Sequence, residues 1–425
     1  MGSTTGAGTL PNEASGDDAS RREIHGETAW QRNLWVCVFG SFTTILGMTL
    51  LLPFLPLYVE ELGVQGHAAI VQWSGIAFGA TFFAASFFAP IWGRLADLYG
   101  RKIMLVRASL GMAISISLLG IAQNIWQLVL LRLLVGVLGG YASGSNFLVA
   151  TQTPKARTGW ALGVLSSGIM AGNLVGPLIG GILPPFMPIR TIFFATGGLI
   201  FIAFLATAFL IKEEKRAPAA KHEKRSGTWR AIPDKRPVVA MLVTGCLLMF
   251  ANMSIEPIIT VYVATLVDDQ THVTLVAGLA MSATALGSVL SASRLGRLAD
   301  RVGHWNVLIA CIAASAVLLV PQAFVTSGWQ LIALRFLMGL ALGGLLPGIT
   351  SVIRHNVPVT AVGGMLGYAV SSQFVGQVAG PLAGGFVGGH FGMRAVFIAT
   401  SVVTAAGALY NLYVRARLRA EKAEG

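Results

Sequence analysis

Twelve apolar stretches, each long enough to cross a bilayer, run through this 425-residue chain and leave it little choice of fold. A spanning helix needs about 20 mostly apolar residues. Inside a bilayer each backbone polar group must be satisfied within the protein, so such stretches become helices. The predicted spans are 34–58, 71–92, 103–122, 127–149, 159–183 and 190–211, then 238–262, 274–294, 306–325, 329–353, 362–388 and 393–415. They imply an all-α membrane protein, with two pseudo-symmetric six-helix bundles over 34–211 and 238–415. A polar tail (1–33), a charged, Pro-containing linker (212–237) and a short tail (416–425) complete the chain. No apolar core with a cleavage site follows the polar start, so no secretory signal peptide is expected.

Only 11% of residues are charged, where a soluble domain carries about 25%. The net charge of +12 raises nucleic acid as a partner, but the placement of the charges argues against it. Lys and Arg gather in the N-terminal tail, one set of alternate loops, the linker and the C-terminal tail. Arg190 and Arg394 lie near the opposite face, and Arg132 and Arg335 lie within spans. Basic residues favour the cytoplasmic side, so both termini are expected there, in an inner (plasma) membrane. Cys37, Cys246 and Cys311 all sit in apolar runs and suggest neither a disulfide framework nor a metal site. No pair of catalytic groups converges at one depth, and no Walker loop appears, so the expected protein is neither an enzyme nor a nucleotide consumer.

The two halves are repeats. "GRLAD" occurs at 93–97 and again at 296–300, and "WQL" begins at Trp126 and Trp329, both 203 residues apart. Arg132 and Arg335 keep that offset. Pro53 and Tyr58 return as Pro257 and Tyr262, and "GPLIGG" from Gly176 returns as "GPLAGG" from Gly380, at 204. Parallel halves related by an axis along the membrane normal are a transporter architecture, with the substrate site between them near the midplane.

The loop "GRLADLYGRK", Gly93–Lys102, contains the pattern G-x-x-x-D-x-x-G-R-K, with Asp97, Gly100 and Arg101 in place. The fourth span carries Arg132 with Gly136 four residues on, and the first carries Gly47, Pro53 and Pro56. The fifth carries Gly163, Gly172, Gly176–Pro177 and Gly180–Gly181, repeated in the eleventh as Gly367, Gly376, Gly380–Pro381 and Gly384–Gly385. These elements resemble the major facilitator superfamily over roughly residues 30–415. Within it they resemble the twelve-helix drug–proton antiporter branch, and most closely exporters of the MdtG type.

The resemblance implies proton-coupled efflux of small amphipathic drugs by alternating access, without a cofactor. It implies that Asp97, with Arg101 nearby, docks on a helix start in the other half and latches the outward-open form. Asp300 would do the same, although His304 stands where the first copy has Arg101. It also implies that the fifth and eleventh helices line the contact between the halves. Physically, glycines four apart make a flat stripe for close backbone approach, and proline permits a bend.

Glu256 is the single carboxylate within the predicted spans. An ionisable residue there is costly and is a functional candidate by default. Counting six residues inward from Tyr262, Trp126 and Trp329 places Glu256, Arg132 and Arg335 about 9 Å below the outer interface. Glu256 is therefore the expected proton site, paired with Arg335 in its own half or with Arg132 across the halves. The first span carries no acid, which departs from several drug–proton antiporters. Tyr141, Asn252, Glu256 and Gln373 are the candidate cavity residues, with Asn146, Asn173 and Gln377 behind them. The expected partners are a small-molecule drug, a proton and lipid, with the chain a monomer and no nucleic acid or metal. The alternatives are a sugar, metabolite or peptide carrier of the same fold, and a receptor that binds ligand without flux.

Overall fold

The computed structural model describes residues 14–213, 229 and 232–424. Residues 1–13, most of the expected linker and Gly425 lie outside the described residues. Every regular element among the described residues is helical. Eleven helices are long and apolar enough to cross a membrane: α1 (Ala29–Glu61), α2 (His67–Tyr99), α3 (Arg101–Leu119), α4 (Ile125–Gln152), α5 (Thr158–Ile182), α6 (Ile189–Leu210), α7 (Arg236–Val263), α8 (Gln270–Val302), α9 (His304–Gln322), α10 (Gly328–Asn356) and, last in the chain, the stretch Met393–Glu421. Between the last two lies α11 (Val359–Phe391), glycine-rich and 33 residues long, so that Met393–Glu421 is α12.

Several helices outrun their predicted spans. Apolarity marks the membrane width, whereas a helix stops where its backbone is turned. α2 continues through the charged "GRLADLY" to Gly100 at φ 97°, and α8 continues to Gly303 at φ 95°. Positive φ at both repeat-matched positions suits glycine alone. At the other end of α3, the chain re-enters at α4 under an Asn124 cap, whose side chain accepts from the Gln127 N–H at 3.0 Å.

Four spans are broken, at repeat-matched places. Regular helix in α1 ends at Thr49, gives way to a 3-10 turn at Leu52–Phe54 and resumes at Leu55; α7 does the same through Glu256–Ile258. Pro53 and Pro257 lack the N–H that a continuous helix needs there. α4 breaks at Gly139–Gly140 and α10 at Gly343–Gly344. The carbonyls freed in α4 find donors: Trp92 Nε1 reaches Val137 at 2.7 Å, and Arg107 reaches Gly139 at 3.1 Å.

Within each half the packing repeats. α1 lies on α5 and α6, α2 on α4, and α3 on α6; α7 lies on α11 and α12, α8 on α10, and α9 on α12. Tyr58 donates its hydroxyl to the Leu119 carbonyl, and Tyr262 donates to Gln322 at 2.8 Å. Between the halves, α2 packs on α11 and α5 on α8.

The core shows which way the protein is open. One buried cluster includes residues of both halves, from Leu46, Leu52 and Tyr58 to Ile255, Tyr262 and Phe397. It lies toward the face opposite the chain ends, here the far face. Toward the face bearing the chain ends the core divides. Trp30, Tyr141 and Leu148 cluster within the first half, and Met241, Ile349 and Met365 within the second. The halves are therefore joined at the far face and apart at the other.

Candidate functional site

The glycine doublets explain the join. A glycine and the next residue point about 100° apart around a helix, because 3.6 residues make a turn. In α5, a Cβ on Gly172 would stand 2.8 Å from the Phe42 carbonyl, and one on Gly176 would meet Thr49 and the Leu46 carbonyl. Gly180 meets Leu50 in the same way. The stripe therefore seats α5 on α1 inside its own half. Only Gly181 looks across: its Cβ would stand 2.5 Å from the Thr274 carbonyl of α8, and Thr274 donates to the Gly181 carbonyl at 2.9 Å. The second half repeats this arrangement, with Gly376, Gly380 and Gly384 on α7 and Gly385 on Val71 and Gln72 of α2.

Helices α5 and α11 meet the opposite half through α8 and α2, but the glycine stripe itself faces within its own half. A four-residue spacing keeps Gly172, Gly176 and Gly180 on one helix face, and that face is already occupied by α1. The Pro177 carbonyl also faces Gly278 across the join. Gly163, at the other end of α5, faces open space, as does Gly367 in α11.

The broken turns of α1 and α7 meet in the middle of the join. Thr260 donates across it to the Pro53 carbonyl at 2.8 Å. Glu256 opens the turn in α7, half-buried, and accepts from Asn252 Nδ2 at 2.9 Å. Among the described residues no ion pair joins Glu256 to Arg335 of the same half. Arg335 is 1% exposed, its Nε and Nη2 have no hydrogen-bond partner, and it lies 6.0 Å from the Phe397 ring. Leaving buried guanidinium donors idle is costly. A neighbouring carboxylate that closes on them in another state gives a reason to keep them.

Arg132 does not meet Glu256 here. Its Nε points to the Ala77 carbonyl at 3.4 Å, and its guanidinium lies 5.4 Å from the Phe78 ring, all within the first half. The first-half counterpart of Glu256 is Leu52, buried in the shared core. The two arginines are repeat-related, but only the second half carries an acid in its broken turn.

The loop carboxylates stand free of the opposite half. Asp97 is 68% exposed and pairs with Arg101 of its own loop; Asp300 is 72% exposed, with His304 Nε2 at 3.5 Å. Gly93 has open space around it. The helix start at Arg101 is instead capped by Glu213, whose carboxylate accepts from the Arg101 and Lys102 N–H groups at 2.8 Å each. A carboxylate suits a helix N-terminus. Neither Glu213 nor Arg107 was legible as a partner from the sequence, since each acts over a long chain separation.

Of the cavity candidates, Asn252 and Glu256 on α7 and Gln373 on α11 are half-buried, as are Gln377 on α11 and Asn146 on α4, while Asn173 is exposed on α5. Gln373 lies against Gly245, and Gln377 against the Met249 sulfur. Tyr141 is a correction. It is 1% exposed and turned into the first half, with its hydroxyl 2.7 Å from Thr207 and its ring against Gly40. The break at Gly139–Gly140 resets the helix face on which it stands.

Comparison with known proteins bears on the whole chain. The family model for the Major Facilitator Superfamily matches residues 37–305 and 258–425. Multidrug resistance protein MdtG of Klebsiella pneumoniae (strain 342) is 42% identical, over 93% of this chain and 96% of its own. Its namesake in Proteus mirabilis (strain HI4320) is 41% identical, over 90% and 96%. Among solved structures, a bacterial homolog to the human lysosomal transporter Spinster, inward-facing and unoccupied, superposes with a TM-score of 0.71 at 13% identity, over 92% of this chain and 98% of that one. The nucleoside transporter NupG gives 0.69 at 14%, over 89% and 99%.

Proposed function

The chain belongs to the major facilitator superfamily, and we propose that it exports small amphipathic drugs in exchange for protons entering the cell, with Glu256 as the coupling carboxylate. Drug export is supported by 41–43% identity to proteins named for multidrug resistance. Proton coupling rests on one observation: Glu256 sits in the broken turn at the join between the halves, in the half whose buried Arg335 has idle donors. Opening the far side must pull that turn away from α1 and α2. The carboxylate then meets far-side water and takes up a proton. When the far side closes, the proton leaves, and the charged carboxylate is free to draw in Arg335 or a cationic drug. Drug and proton compete for the one carboxylate, so a full cycle exchanges drug for proton.

In this reading the chain-end face is cytoplasmic and the membrane is the inner (plasma) membrane. The structure is then inward-open, with Asn252, Glu256 and Gln373 as first contacts for drug. Inverted vesicles give the direct test. With a proton gradient established, adding drug should dissipate it, and an uncoupler should stop drug accumulation. Drug flux that ignores the gradient would overturn the coupling. Binding without flux would point to a receptor.

The orientation carries its own prediction. Lys155→Cys lies in the exposed loop between α4 and α5 and should resist an impermeant reagent in intact spheroplasts. Asp268→Cys lies in the exposed loop before α8 on the far face and should react. The reverse pattern would invert the topology.

The latch makes a third. Asp97 is exposed in this state and, in the proposed outward-open state, docks on a helix N-terminus of the other half. Asp97→Asn removes a contribution of about 1 kcal/mol, shifting a balanced equilibrium about fivefold toward inward-open. Gly367→Cys, on the open stretch of α11, reports it and should react faster from the cytoplasmic side. An unchanged rate would sink the latch.

A further inference from the structure

α11 ends against α2 at the far face, and its last turn carries His390. Gly389, beside it, lies against Ala68 and the Gln72 side chain of α2. One ring nitrogen of this histidine has two neighbours of opposite kind. Nδ1 is 3.0 Å from Gln72 Nε2, across the join, and 3.0 Å from the Phe386 carbonyl, one turn back on α11. An amide nitrogen donates and a carbonyl accepts. With Nδ1 bare, Gln72 donates to it and bridges the halves. With a proton on Nδ1, the bond goes to the Phe386 carbonyl, and Gln72 Nε2 faces a second donor.

The two neighbours also differ in what moves. Phe386 travels with His390 on α11, so that bond is available whichever side is open. Gln72 belongs to the other half, so that bond exists only while the far side is sealed. His390 is exposed, and the far-side medium reaches it. On the elements packed against α11, the charged or titratable residues toward this end are His67 on α2, Glu256 and Tyr262 on α7 and Arg394 on α12. Among the described residues no ion pair joins His390 to an acid. The repeat shows that the join does not require a polar pair here. The positions matching His390 and Gln72, at offsets of 204 and 203, are Phe186 and Leu275, and neither can bind a proton.

We propose that His390 and Gln72 form a pH-sensitive catch on the far-side seal, closed by the neutral imidazole and released when far-side acid protonates it. Histidine is the residue whose charge commonly changes between about pH 5 and 8. The seal and the proton compete for Nδ1, so acid on the far side favours the open form. In the orientation proposed above, the far side is the outside, from which protons enter. The catch then eases opening toward the proton supply. That last step rests on the orientation; the catch itself does not.

Cysteine labelling of the full chain in lipid nanodiscs tests the catch, with Glu256→Gln as the background so that the coupling carboxylate cannot produce the response. Cys37, Cys246 and Cys311 are replaced by Ala. Ser282→Cys, buried at the join of α5 and α8, reports far-side opening. Parent and variant carry the same thiol, so the ratio of their rates cancels its own pH response. Between about pH 8 and about pH 5.5, the parent should gain about threefold in labelling rate relative to His390→Gln, the weight of one exposed hydrogen bond. An unchanged ratio would overturn the catch. His390→Asn takes the place of His390→Gln if that variant does not fold. Gln72→Glu sets an acceptor opposite Nδ1 and should reverse the sign, sealing the far side more firmly in acid. If Gln72→Glu instead responds as the parent does, Gln72 is not the partner and the proposal fails. Both faces of a nanodisc meet one buffer and position 256 cannot titrate, so failure of the orientation or of Glu256 as coupling residue leaves this result untouched.

Discussion

Glu256→Gln is expected to abolish concentrative drug export while leaving energy-independent drug exchange in proteoliposomes close to wild type. Gln keeps the volume, and its Oε1 can still accept from Asn252 Nδ2, which now lies 2.9 Å from the carboxylate. What it loses is the ability to bind and release a proton. Exchange of one proton for one singly charged cationic drug moves no net charge, so the pH difference drives it, and one pH unit supplies about 1.4 kcal/mol, or about a tenfold drug gradient. The variant should show none of it, with expression and fold intact. If it still concentrates drug on an intact proton gradient, coupling lies elsewhere. A titrating group on the drug itself, or Asp97 on the cytoplasmic side, would then be next to examine.

The parts of this molecule legible in the sequence are those written as long-range repetition. Hydropathy marks the spans because lipid leaves helices as the way to satisfy the backbone. The constant offset marks the two halves. Glu256 is conspicuous because acids are rare in such segments. That Arg132 is held inside the first half by the Ala77 carbonyl and the Phe78 ring was not legible, since only packing separates it from Arg335. Tyr141 was misplaced because Gly140, at φ 105°, turns the helix just before it. Glu213 was invisible as the cap of α3, being more than a hundred residues from the N–H groups it accepts. The doublets were read as one feature, although the step from Gly180 to Gly181 turns the chain from one neighbour to another.

The asymmetry between the repeats has a physical logic. Both halves need the tyrosine that ties α1 to α3 and α7 to α9, and both have it. Both need the broken turn, because the join is built there. An acid in each turn would set two like charges close together at the join, which disfavours charging either. One acid, opposite Leu52, avoids that conflict and leaves a single titrating group under the control of the join.

The same doublet logic predicts opposite outcomes for two neighbouring substitutions. Gly176→Leu places a side chain where a Cβ already meets Thr49 and stands 3.1 Å from the Leu46 carbonyl. Both belong to α1, so the damage falls inside the first half in every state of the cycle. Overpacking costs about 1–3 kcal/mol. The expected result is lower thermal stability and loss of export, with no change in which side is open. Gly181→Leu instead meets the Thr274 carbonyl of the other half. Its cost falls only on the state in which the far side is sealed. The same 1–3 kcal/mol then becomes a population shift, about fivefold to about 150-fold toward outward-open. Ser282→Cys reports it, because Ser282 is buried against the Leu174 carbonyl across this join at 2.7 Å. In the Gly181→Leu background it should react with an impermeant reagent from outside, and in the Gly176→Leu background it should stay shielded. Identical behaviour of the two variants would mean that the glycine stripe acts as one surface, and that the division of labour between Gly180 and Gly181 does not govern the far-side seal.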